Sequence, residues 1–449
     1  MKSSESLLIL YICFGILFAY NCYEIELRGD SMIRLLIVLL ITMSASTAFA
    51  DGLNTGDTAW VLVSSAFVML MLPGLALFYG GMVRSKSALS TLLYSFSALC
   101  VAGVTWAVIG FTIAFGESDS LFMGSMKYFM FGSDFMDAMS GTIPLGTFAI
   151  FQGMFAIITV ALISGAIVER MKFSAWLLFM PLWIILVYSP IAYWVWGGGW
   201  LGKLGALDFA GGTVVHFSSG MAALAIALVL GNRKDFMHAK IIPHNVTYTV
   251  IGAGLLWFGW FGFNSGSALA ADKIASLAFV NTMIAAAAAG FVWMIIEMAV
   301  SKPSALGVAS GIVAGLVGIT PAAGFVEPWA AIIIGGLTGA LCYWGITLKF
   351  KFKLDDSLDV FGIHGLGGLF GAIATGVFAT VGAEGLIAGN AGQVLIQIID
   401  ALACGGYSFI MTLIIAFAIK ATIGIRITPE EETEGTDLNQ HGEKAYNFF

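Results

Sequence analysis

The chain has 449 residues, 59% hydrophobic and only 10% charged, with a net charge of −7, whereas an ordinary soluble domain is about 25% charged. That balance describes an all-α polytopic membrane protein whose first partner is the lipid bilayer, and it excludes an ordinary soluble domain; no nucleic-acid partner is expected. Five cysteines (Cys13, Cys22, Cys100, Cys342, Cys404) lie too far apart for a metal cluster or a disulfide framework. No histidine is followed by glutamate, so the HExxH zinc signature is missing. With no nucleophile–base, metal or phosphate-binding motif either, no enzyme, cofactor or metal is expected.

The N-terminus reads in two pieces. Residues 32–50, MIRLLIVLLITMSASTAFA, have a basic start at Arg34, an apolar stretch and an A-x-A ending at Ala48-Phe49-Ala50, the anatomy of a signal peptide. Residues 1–31 precede it and hold a second apolar run, LLILYICFGILFAY. Either Met32 is the true start, or 1–31 is an extension with no role in the fold. The alternative is an extra helix near 7–20, short of the roughly 20 residues a span needs. The mature chain then begins near Asp51 and is exported in a bacterial envelope.

From residue 57 onward, eleven apolar runs are expected to cross the membrane: 58–81, 88–115, 145–168, 173–196, 211–230, 246–264, 274–299, 303–320, 328–349, 361–380 and 393–424. An odd number puts the termini on opposite sides. With the mature N-terminus outside, the inner loops and span ends carry thirteen Lys and Arg residues. Arg84, Arg170, Arg233, Lys349 and Arg426 are among them. The outer side has only Lys127, Lys203 and Lys273. That asymmetry predicts an N-out, C-in topology. The outer loop 117–144 is acidic (Glu117, Asp119, Asp134, Asp137). Glycine is in excess at 55 residues, and GVASGIVAG (307–315) repeats a GxxxG step suited to close helix packing.

His216 in the fifth run and His364 in the tenth are the histidines expected inside spans; each follows an aspartate, Asp208 by eight residues and Asp359 by five. Two halves of five helices, each ending in a histidine-bearing helix, suggest an inverted repeat with the eleventh helix outside it. One histidine would read equally well as a packing residue; two at matching places favour function. Asp208 stands where a helix cap is expected, ahead of direct ligand contact, and Asp359 is at least as well explained as an interfacial cap. Trp196, Phe155 and Phe263 are ordinary interfacial or packing aromatics on composition alone.

Several contiguous stretches resemble one family. FQGMFAIITVALISGAIVER, DFAGGTVVHFSSGMAAL, GWFGFNSGSALA, LAFVNT, DVFGIHGLGG and the tail DLNQHGEKAYN occur in order. They are similar to the bacterial Amt branch of the ammonium transporter family (the Amt/Mep/Rh superfamily), from about residue 55 to the C-terminus. The resemblance implies a homotrimer with one pore per protomer and eleven helices in an inverted five-plus-five repeat. It implies that Trp196, Phe155 and Ser267 recruit ammonium at the outer mouth, near Asp208. It further implies that Phe155 and Phe263 close that mouth, and that His216 and His364 line the pore. Residues 51–426 are then the membrane domain and 427–449 a cytoplasmic regulatory tail, a site for a P-II type regulatory protein.

The implied chemistry is coherent. Ammonium is drawn to aromatic faces, each worth roughly 0.5–2 kcal/mol, but an intact ion entering an apolar lumen costs tens of kcal/mol on idealised estimates. Ammonium escapes that cost by leaving its proton behind, and potassium does not. The expected function is therefore ammonium uptake across the cell inner membrane. The alternatives are an ammonium sensor acting through a separate signalling partner and, less well supported, a Rh-type gas channel.

Overall fold

The computed structural model describes residues 52–446 apart from 133, 134 and 240. The extension 1–31, the signal segment 32–50 and the loop residues Asp134 and Lys240 lie outside the described residues. The described chain is a helical bundle. Ten helices are long and apolar enough to cross a membrane: α1 Thr55–Met82, α2 Ser85–Phe115, α3 Leu145–Ile167, α4 Phe173–Leu204, α5 Gly212–Leu230, α6 Val246–Gly266, α7 Lys273–Val300, α9 Pro328–Phe352, α10 Phe361–Phe378 and α11 Gly392–Thr422. Between α7 and α9 lies the shorter apolar α8, Ala305–Ile319. Two short helices, α12 Pro429–Glu434 and α13 Thr436–His441, close the chain. A two-residue hairpin, β1 Met139–Ser140 against β2 Ile143–Pro144, sits in the loop before α3.

Helix starts follow local chemistry. Asn54 accepts from Gly56 and Asp57 N–H to open α1, Asp272 from Ile274 and Ala275 to open α7, and Ser304 from Gly307 to open α8. Such caps satisfy N–H groups that have no partner within the helix. The GxxxG step lies against α7: a methyl group added at Gly315 would fall 2.5 Å from Ala289 Cβ, and one at Gly311 2.7 Å from Trp293 Cβ. Small residues thus let the two backbones touch where lipid offers no hydrophobic drive.

α5 and α10 cross equally closely. A side chain at Gly220 would run into the Gly365 backbone, and one at Gly368 would sit 2.7 Å from the Gly212 carbonyl. Both helices begin with a widened, π-helical turn, Gly212–Phe217 and Phe361–Gly365. In the first, His216 N–H reaches back five residues to Gly211 O at 3.0 Å; in the second, Leu366 N–H reaches Phe361 O. Such turns concentrate at functional sites, and each of these carries one of the two intramembrane histidines.

The tail packs against one end of the bundle. Thr428 and Glu431 form a capping box at α12. Asp437 accepts from Leu89 and Ser90 N–H at 3.1 and 2.7 Å, Glu432 takes Lys234 N–H at 2.6 Å, and His244 Nε2 meets Tyr446 Oη at 3.1 Å. α6 runs from Val246, just after His244 at this end, to Gly266, just before Ser267 at the other, which sets the long axis of the site.

Candidate functional site

At the end far from the tail, Trp196, Phe155 and Ser267 line a vestibule with about 320 Å³ open to water-sized molecules. α4 breaks after Val195 and resumes at Trp200, so the Trp196 ring stands free at the helix end. It packs edge-on to Phe155, with centroids 6.1 Å apart, and its indole N–H donates to the Asp208 carbonyl at 2.8 Å. The Ser267 hydroxyl donates to Phe263 O at 2.8 Å, which leaves its lone pairs for an incoming donor. Aromatic faces beside a lone-pair oxygen suit a small cation with N–H groups.

Phe155 and Phe263 form the floor of the vestibule. Their rings stack at 4.1 Å with 20° between planes, and both are essentially unexposed. Phe155 faces the vestibule while Phe263 faces the next cavity, so the pair partitions the two spaces.

Beyond the partition, His216 and His364 line a narrow cavity walled otherwise by side chains such as Leu75, Phe78, Ile158, Leu162 and Val313. Only about 10 Å³ is open to the centre of a water-sized molecule, room for one. His216 Nδ1 lies 3.2 Å from His364 Nδ1. His216 also stacks on Trp260 at 5.3 Å, whose N–H is fixed by Thr320 Oγ1 at 2.9 Å. His216 Nε2 has no partner among the described residues. A dry, one-molecule cavity with a paired imidazole track can pass a small neutral hydrogen-bonding solute, whereas it offers an ion no hydration.

Asp208 stands apart from the other sequence-predicted residues. It lies behind the vestibule wall, where its two oxygens accept five hydrogen bonds: from Gly211, Gly212, Thr213 and Val214 N–H and from the Thr213 hydroxyl, at 2.6 to 3.1 Å. It holds the start of the His216 turn.

Two carboxylates escaped the sequence reading. Asp356 stands eight residues before His364, the same spacing as Asp208 before His216; its Oδ2 accepts Phe361 N–H at 2.7 Å. Asp359, singled out instead, pairs with Lys349 at 2.7 Å in a left-handed backbone conformation, φ 62°. Asp400 is fully buried within α11, and its signal was simply an aspartate inside an apolar run.

The tail end of the bundle is closed by a buried ion network. Glu169 bridges Arg84 and Arg233 at 2.8 Å each, and Asp355 takes Arg233 at 2.8 Å and Arg170 at 3.6 Å. Burial opposes ionisation of Asp355, but Arg170 and Arg233 outweigh it and hold the carboxyl down at about 2. Glu169 is likewise lowered by Arg84 and Arg233 against its burial. Burial and the nearby Asp359 push Asp356 up to about 6. Several basic residues counted for topology are therefore also structural.

The profile of the ammonium transporter family matches residues 59–446. This chain belongs to that family. A Bacillus subtilis (strain 168) protein named "Ammonium transporter" is 51% identical over 402 residues, covering 88% of this chain and 99% of its own length. The solved structure of Candida albicans Mep2 superposes with a TM-score of 0.81 at 39% identity, over 88% of this chain and 90% of its own. A solved structure described as "Sensor Amt Protein" matches with a TM-score of 0.81 at 30% identity, over 86% of this chain and 98% of its own. Membership makes this family member a multi-span membrane protein of a transporter family, not of an enzyme family.

Proposed function

We propose that this family member takes up ammonium by binding it in the vestibule, where the cation gives its proton to vestibule water, and passing ammonia along the His216–His364 pair. The 3.2 Å Nδ1–Nδ1 contact inside an otherwise apolar, one-molecule cavity carries this reading. One hydrogen lies between the two Nδ1 atoms, so one ring offers a donor at Nε2 and the other an acceptor. Trp196, Phe155 and Ser267 form the recruitment site, Phe155 and Phe263 the gate, and Asp208 the brace that fixes the His216 turn.

The topology belongs to the same proposal. α8 is an eleventh crossing: its fifteen residues rise about 22 Å, and it lies along α7. The two π-helical histidine turns, each capped by an aspartate eight residues upstream, support an inverted repeat. The thirteen-to-three charge asymmetry supports a cytoplasmic tail end in a bacterial inner membrane. Residues 1–31 are an extension, 32–50 a signal peptide, 51–426 the membrane domain and 427–449 a regulatory tail. The homotrimer and the P-II type partner at that tail follow from family resemblance.

An ammonium concentration jump on proteoliposomes, recording current and lumenal pH together, tests the proposal, with His216→Ala/His364→Ala and a potassium jump as controls. Current with ammonium but not potassium means a proton crosses along with ammonia. Alkalinisation above protein-free liposomes without current means neutral conduction. Absence of both signals refutes transport and favours a receptor acting through a cytoplasmic partner, the reading that likeness to the Sensor Amt Protein structure supports.

A further inference from the structure

One face of α11 lies along the chain leading into the His216 turn. Gln393 Nε2 donates to Gly205 O at 2.9 Å. Gln397 accepts Leu207 N–H at 2.8 Å and donates to Leu207 O at 2.7 Å. Further down, Ser408 Oγ donates to Ser218 O at 2.7 Å. Asp400 and Cys404 fill the same face between these bonds, which sets Asp400 beside the Asp208–Thr213 cap.

Asp400 is 0% exposed. Cys404 Sγ lies 3.4 Å from its Oδ1, and Oδ2 has no partner among the described residues. None of the ion pairs among the described residues includes it. A carboxyl within a span is expensive and is by default a functional group whose partner should be sought.

Asp208 accepts five hydrogen bonds on its two oxygens. Asp400, among the described residues, has only the Cys404 thiol at one oxygen, and neither a cation nor a hydrogen-bond donor at the other. A buried carboxyl so placed is neutralised by a proton rather than by a counter-charge.

We propose that Asp400 holds an exchangeable proton, and that this proton sets how strongly the vestibule binds its cation. With the proton in place the Asp208–Asp400 pair carries one negative charge; without it, two. Asp208 stands behind the vestibule wall, its main-chain carbonyl accepting the Trp196 N–H, and a second negative charge beside it in low-dielectric surroundings adds to the field at the recruited cation. The coupling is reciprocal: cation binding favours loss of the proton, and loss of the proton favours the cation. The titratable groups on the elements packed around Asp400 are Asp208 before α5, His216 on α5, Tyr188, Tyr193 and Lys203 on α4, His364 on α10, and Cys404, Tyr407 and Lys420 on α11 itself. The proposal rests on reading the vestibule as an ammonium site.

Infrared spectroscopy of the full chain in detergent, in H2O and in D2O, reads the carboxylic-acid C=O stretch. An isotope-shifted acid band is expected in the wild type, lost in Asp400→Asn and displaced by ammonium but not by sodium. A spectrum unchanged by Asp400→Asn overturns the proposal. In proteoliposomes, the wild-type half-saturating ammonium falls about five-fold or more as pH rises. Asp400→Asn is expected to hold one value at a maximal current close to wild type; equal slopes in both proteins also overturn the proposal. If neither protein carries current, the transport reading fails, and displacement of the acid band by ammonium still decides the role of Asp400. Should Asp400→Asn fail to fold, Asp400→Ser, also a neutral donor, takes its place.

Discussion

His216 and His364 meet through like atoms, Nδ1 to Nδ1 at 3.2 Å. Two acceptors repel and two donors clash, so the contact needs one hydrogen and fixes opposite tautomers on the two rings. Removing either ring leaves a buried nitrogen on the other without a partner, whereas removing both leaves only apolar wall. A double-mutant cycle of His216→Ala and His364→Ala, read by thermal unfolding in detergent, is expected to give a coupling of about 1 kcal/mol, with the double variant less destabilised than the sum of the singles. Strictly additive losses would show that the contact is not a hydrogen bond.

The two caps differ in strength. Asp208 accepts five bonds, four of them from backbone N–H at a helix start, whereas Asp356 accepts one at 2.7 Å and leaves Oδ1 without a partner among the described residues. Asp208→Ala is expected to destabilise by roughly 2 kcal/mol or more, and Asp356→Ala by about 1 kcal/mol. Melting of the two variants checks the order, and the reverse order would mean that the Asp208 bonds are not what holds the His216 turn.

The spans were legible because length and hydropathy alone determine them; the observed ends fall within a few residues of expectation except at α4. There Trp196–Gly199 break the helix, and Trp200–Leu204 extend the helical segment past the expected end. The π-helical turns left no trace in the sequence, because a five-residue reach-back has no residue signature. Asp356 was legible through its eight-residue spacing, but the nearer Asp359 drew attention. A cap accepts from N–H groups several residues ahead of it, as Asp208 does at Gly212 and Thr213, so the more distant aspartate was the one in register. Asp400 was hidden by averaging, since one carboxylate barely lowers the hydropathy of a 31-residue helix.

The pH response should separate Asp356 from its neighbour. Its carboxyl, raised from 3.8 to about 6 by burial and Asp359, binds a proton more tightly folded than unfolded. The stability this adds is complete below about pH 4 and is lost as pH rises through about 6, a difference of about 3 kcal/mol. Asp355 has the opposite sign: held near 2, it stabilises above about pH 4 and fails only as pH falls towards 2. Wild-type protein is therefore expected to gain melting temperature between about pH 7 and pH 5 relative to Asp356→Asn, which keeps an oxygen for Phe361 N–H. Parallel melting curves over that range would remove Asp356 as the titrating group.

Trp196 has two contacts whose roles can be separated. Its ring face forms part of the vestibule wall, and its N–H holds the Asp208 carbonyl at 2.8 Å. If the ring binds the cation, Trp196→Ala raises half-saturating ammonium roughly two- to thirty-fold, the span of one cation–π contact. Its maximal rate changes little, because binding energy shared by ground and transition states appears in KM alone. Trp196→Phe keeps an aromatic face and loses the N–H bond, so it is expected to recover most of the affinity. Equal losses in the two variants would instead assign the effect to the Asp208 bond, and a drop in maximal rate with unchanged half-saturation would remove Trp196 from cation recruitment.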